Sequence, residues 1–121
     1  MLLKDKFYTV SSLREENGTI QSTISIDPNH EIFSGHFPGN PVTPGVVQME
    51  IIKELLSIHF NRPLQLKSMN NCKFLAILNP NVTPDINVKL TLLPNDTEAV
   101  KISGLIFSES VTFLKIQAEY I

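Results

Sequence analysis

Tryptophan is absent from this 121-residue chain, and cysteine occurs once, as Cys72. A single thiol forms no internal disulfide and no cysteine-based metal cluster. With no neighbouring group to activate it, Cys72 reads as a small core or loop residue. Basic residues are few: 10 Lys and Arg stand against 12 Asp and Glu, with no basic block, so no footprint for nucleic acid exists. No apolar run approaches the roughly 18 residues that a bilayer span needs, which argues against a membrane protein. The first residues, "MLLKDKFYTV", carry charges where a signal peptide needs an apolar core, and the address this gives is the cytoplasm. Glycine is also scarce, yet three of the five glycines and three of the eight prolines fall between Ser34 and Leu56.

Hydrophobic residues make up 42% of the chain and charged residues 18%, the balance of a globular protein. A chain of this length buries roughly two thirds of its unfolded surface around one core. It shows no repeat or linker, so residues 1–121 are read as a single domain.

Two β-rich stretches, "KFYTVSSL" and "TIQSTISI", flank "REENGT", whose Asn17-Gly18 pair is a hairpin signal. A helix is expected from about Pro44 to Phe60, with Thr43 as N-cap, Pro44 at the first helical position and "NRP" at 61–63 as the stop. Four further strands are expected in "LQLKSMNNCKFLAIL", "DINVKLTLL", "AVKISGLIF" and "VTFLKIQAEYI", separated by turn-forming "NPNVTP", "PNDTE" and "SES". One helix among so many antiparallel strands buries both apolar surfaces only if the sheet curls over it, which gives an α+β class.

Apolar residues cover most of the helix, but Glu50, Lys53, Glu54 and Ser57 fall at i, i+3, i+4 and i+7. From the helix alone, Glu50 opens a solvated stripe and pairs with Lys53. The preceding "GHFPGNPVTPG" points elsewhere. Its prolines fix φ and its glycines permit close approach, so it holds something in place. What it offers are the His36 imidazole and the unpaired amides at the helix start, near Gly45 and Val46, a natural oxyanion site.

The stretch "HFPGNPVTPGVVQME" closely resembles the signature of the hotdog-fold 3-hydroxyacyl-(acyl-carrier-protein) dehydratases, H-F-x-G-x-P-x-x-P-G followed by a helical Glu or Asp. The resemblance covers roughly residues 18 to 93 in element order. It implies the hotdog fold, an antiparallel sheet wrapped around one central helix. It further implies elimination of water from a (3R)-3-hydroxyacyl thioester to give a trans-2-enoyl thioester, in fatty-acid or related polyene or polyketide synthesis. His36 then takes the C2 proton, since imidazole titrates near neutrality. Glu50 protonates the departing hydroxyl, provided that a dry setting keeps it neutral. Gly45, Val46 and Phe37 are expected to bind substrate, the backbone amides meeting charge on the thioester oxygen.

The family's histidine works with the acid of a second subunit, so a homodimer or higher even oligomer is implied, with edges for pairing sought in strands such as "VKISGLIF". No metal or organic cofactor is expected; the acyl chain arrives on the phosphopantetheine of an acyl carrier protein. Lys53, Arg62, Lys67 and Lys73 are candidates for a basic rim facing that partner, or ordinary solvated charges. Two features depart from the family pattern. The first strand begins almost at the N-terminus, and Glu54 stands where relatives often carry glutamine. Two other readings stay open: a hotdog acyl thioesterase in which Glu50 activates water, and a non-catalytic subunit that binds acyl chains or carrier protein.

Of the other histidines, His30 follows "DPN" in a turn and reads as a surface residue, and His59 reads as structural in the last helical turn, where a cation suits the dipole. None has metal-ligand spacing. Asn40 and Thr43 are expected to hold the loop's shape, and Phe33 to pack it or line an acyl pocket.

Overall fold

The computed structural model describes residues 1–121. In chain order it contains β1 (Tyr8–Glu16), β2 (Thr19–Ile26), a single turn of helix α1 (Ile32–Gly35), the long helix α2 (Gly45–Phe60), and strands β3 (Leu66–Phe74), β4 (Asp85–Leu93), β5 (Val100–Ser108) and β6 (Val111–Tyr120). The six strands form one antiparallel sheet in the order β1-β2-β4-β5-β6-β3. Only α1 has no counterpart in the sequence reading. Four residues are too few to show a helical period.

The β1–β2 turn forms as its sequence dictates: Asn17 and Gly18 both adopt positive φ, 52° and 78°, as a two-residue hairpin loop requires. Alternation then aims Ile20, Ile24 and Ile26 of β2, Ile86, Val88 and Leu90 of β4, Ile102 and Ile106 of β5, and Leu114 and Ile116 of β6 inward. They enclose Val47, Ile51, Ile52, Leu55 and Leu56 of α2 in one continuous core. Full burial of each such side chain stabilises the fold by about 1.5–3 kcal/mol. A sheet curled about one helix is the hotdog arrangement.

Three expectations are corrected. Helix α2 is capped by Pro44, not by Thr43. Pro44 has an extended ψ of 149°, and its carbonyl accepts the first helical bonds, from Val47 N–H and Gln48 N–H, both at 3.1 Å. Thr43 instead donates its own N–H to Leu78 O at 2.9 Å, and its hydroxyl is buried and unpartnered. The edge for subunit pairing is not in β5, which is hydrogen-bonded on both sides by β4 and β6. The two free edges are β1 and β3. Strand β3 is exposed along nearly its whole length and carries the exposed apolar side chains of Leu66, Met69 and Phe74. Finally, the helical polar stripe is not solvated beyond Glu50 and Lys53: Glu54 is 1% exposed and Ser57 is buried. Ser57 Oγ donates to Lys53 O at 2.9 Å and accepts from Leu64 N–H at 3.1 Å, tying the end of α2 to the chain that leaves it. Asn61, in the left-handed region, closes the helix two residues before Pro63. No helix is long and apolar enough to cross a membrane.

Candidate active site

His36 sits where α1 gives way to the loop, and backbone bonds fix it there. Val42 N–H donates to His36 O at 2.9 Å, and Phe37 and Asn40 exchange backbone bonds at 3.2 and 3.0 Å around Pro38-Gly39. The imidazole stacks on the Phe37 ring, with centroids 4.4 Å apart. Its Nδ1 faces Val42 O at 3.4 Å. A proton on Nδ1 satisfies that carbonyl and leaves Nε2 as the basic nitrogen. A residue not singled out from the sequence reinforces the loop: buried Gln48 donates Nε2–H to Thr43 O at 3.2 Å, across the start of α2. A glutamine flanked by apolar residues in the helix was the only signal available for it.

Gly45 and Val46 open α2, where helix geometry leaves their N–H groups without intrahelical acceptors. Gly45 packs closely on Phe74: a Cβ there would stand 2.6 Å from the tip of the Phe74 ring, which would have to shift. Val46 is 74% exposed and Phe37 is half-exposed.

Glu50 lies one turn further along α2, partly buried and paired with Lys53 Nζ at 3.2 Å. It lines two clefts. The larger, about 580 Å³, is shared with Met1, Leu2, Lys53, Glu54, Ile58 and Arg62 among others. The smaller, about 280 Å³, brings Glu50 together with Val46, Met49 and Tyr120. Burial pushes the Glu50 carboxyl above the usual carboxylate range and the neighbouring Glu54 carboxylate adds to this, while Lys53 pulls the other way. Tyr120 is pushed up to about 12, mainly by burial.

His36 lines neither of these two clefts. Phe37 belongs to a separate groove with His30 and Phe33. His30 is not a surface residue but half-buried. His30 accepts Ile32 N–H at Nδ1 and meets the Phe7 ring edge-on, and His59 Nε2 pairs with Glu15 at 2.7 Å. Cys72 lies in β3, its thiol pushed up by burial. Of the four rim candidates, Lys53 and Arg62 border the larger cleft, and Lys67 is bound to Glu119 at 3.3 Å. No group of three or more His, Cys, Asp or Glu side chains converges in metal-binding geometry.

The model of the ApeI-like family, described as ApeI dehydratase, matches residues 12–108, which include the whole loop, the helix and four strands. The chain belongs to the ApeI-like dehydratase family. Among curated proteins it is 32% identical over 83 residues to the 3-hydroxyacyl-(acyl-carrier-protein) dehydratase FabZ of Pediococcus pentosaceus, a match that covers 63% of this chain and 56% of that protein. The chain thus spans little more than half the length of the curated relatives it matches at this level of identity. Among solved structures, the dehydratase heterocomplex ApeI:P from Xenorhabdus doucetiae superposes with a TM-score of 0.72 at 17% identity, over 93% of this chain and 96% of that one. YhdA of Lactococcus lactis, a proposed thioesterase, superposes with a TM-score of 0.66 at 11% identity, over 95% and 91%. At such identities the two superpositions establish the hotdog fold that this ApeI-like chain shares with both.

Proposed function

We propose that the protein dehydrates a (3R)-3-hydroxyacyl thioester, carried on the phosphopantetheine of an acyl carrier protein, to the trans-2-enoyl thioester. The observation that carries this reading is the placement of His36, in a loop pinned by Val42 and Gln48, directly before a helix that offers two free amides and then Glu50 in a partly buried cleft. His36 Nε2 removes the C2 proton, and its Nδ1–H keeps the ring oriented through Val42 O. The C2–H electron pair becomes the C2=C3 double bond as the C3–O bond breaks. Glu50 supplies its proton to the departing hydroxyl, which leaves as water. The N–H groups of Gly45 and Val46 meet the negative charge that grows on the thioester oxygen.

His36 lines neither of the two clefts that Glu50 borders, which supports a site shared between two copies. The open, apolar β3 edge is the surface suited to pair them. The acyl chain would lie in the greasy space between copies, with Lys53 and Arg62 toward the acidic carrier protein.

The test is product analysis after incubation with a 3-hydroxyacyl-carrier protein. An enoyl thioester with water released is the result expected; free acid with released thiol would make the protein a thioesterase instead. A hydrolase has no evident use for a base fixed at C2, so the dehydratase reading is preferred.

A further inference from the structure

Glu54 is the one carboxylate of α2 that the proposed chemistry leaves without a role, and it is more completely buried than Glu50. Three donors converge on it from the N-terminal turn and the first strand. Leu3 N–H donates to Oε2 at 3.0 Å, while Lys4 N–H at 2.9 Å and Tyr8 O–H at 2.9 Å donate to Oε1. Three donors on one carboxyl are an arrangement suited to the acceptor-only carboxylate form. Glu54 lies four residues after Glu50, so the two side chains leave the same face of α2 one turn apart, and both line the cleft that Met1 and Leu2 border.

We propose that Glu54 is a positioning residue that straps residues Met1–Tyr8 over α2 and, as a pinned anion one turn away, holds Glu50 in its acid form. This rests on the reading of Glu50 as the proton donor. A dehydratase acid must keep its proton at neutral pH, yet Lys53 Nζ, 3.2 Å from Glu50, favours losing it. A second anion on the same face opposes Lys53, because two carboxylates so close resist ionising together. The Tyr8 hydroxyl and the two amides settle which of the pair keeps the charge: all three address Glu54. The other titratable groups around the pair are the Met1 amino group, whose residue borders the same cleft, Asp5 in the N-terminal turn, Tyr8 of β1 and Tyr120 of β6, with Arg62 across the cleft. Both tyrosines are pushed upward and stay neutral through the working range, so neither competes for the role of anion.

The test reads Glu50 directly. In the 121-residue chain labelled with carboxyl-¹³C glutamate, Glu50→Gln assigns the Glu50 resonance, which is then followed against pH in wild type, Glu54→Gln and Tyr8→Phe. Loss of the Glu54 charge is expected to lower the Glu50 midpoint by about one pH unit. Tyr8→Phe, which keeps the charge but removes one of its donors, lowers it in the same direction by less. A midpoint that does not fall in the variants that fold overturns the proposal. The alkaline limb of the turnover profile of Glu54→Gln moves down in parallel. If the wild type dehydrates nothing while the resonance still shifts, the functional reading has failed and the coupling of Glu54 to Glu50 stands.

Discussion

The Tyr8 hydroxyl donates to Glu54 Oε1 at 2.9 Å, joining the first strand to the central helix across 46 positions of sequence. Both groups are buried, and burial first, then the carboxylate, push the tyrosine's own ionisation upward. Tyr8→Phe keeps the ring and removes only the donor. It is expected to cost about 1–3 kcal/mol, since a buried acceptor then loses a charge-assisted bond with no water to replace it. Urea unfolding should show a lower midpoint with an unchanged slope.

At the other end of the helix, Gly45 and Phe74 are in contact that leaves no room for a methyl group. Gly45→Ala drives a Cβ to 2.6 Å from the Phe74 ring, so the half-exposed ring must swing away from the helix start. A loss of stability of about 1–3 kcal/mol is expected by thermal unfolding. The double variant Gly45→Ala with Phe74→Ala should recover the steric part of it, which a double-mutant cycle measures.

Stability should also depend on pH through Glu50. Its carboxyl holds a proton more tightly in the folded chain than in the unfolded one. The folded state therefore binds more protons in the window just above the ordinary carboxylate range. Its stability is fully present below that window and falls as pH rises through it. Glu50→Gln removes the titrating group and should flatten this fall in urea titrations at stepped pH.

These expectations show what the sequence made legible. Alternation in "INVKLTL", the Asn17-Gly18 turn and the helix to Phe60 could be read directly, because each is set by contacts a few residues apart. The His36 loop was legible as a motif because prolines and glycines announce their dihedrals. The partner of Glu54 was not, since nothing local tells a solvated glutamate from one that meets Leu3, Lys4 and Tyr8 some 50 positions away. Nor could the pattern tell that β5 is central and β3 an edge. Both are β-rich stretches, and strand order is decided by which neighbours pair.

The exposed edge carries its own prediction. Met69 is 44% exposed on β3, where a lysine costs the isolated fold little. Met69→Lys is expected to leave the unfolding midpoint of the separated chain nearly unchanged while shifting light scattering from dimer to monomer mass, because charges on an edge oppose strand pairing.

The central claim is that His36 of one copy serves Glu50 of another. His36→Ala and Glu50→Gln should each lower turnover by about 10²–10⁴-fold. Refolded together in equal amounts, the two inactive variants form mixed dimers in which one of the two sites holds both an intact imidazole and an intact carboxyl. The mixture should regain about a quarter of wild-type activity, since half of the dimers are mixed and each has one working site. A mixture as inactive as its components would contradict a site shared between subunits.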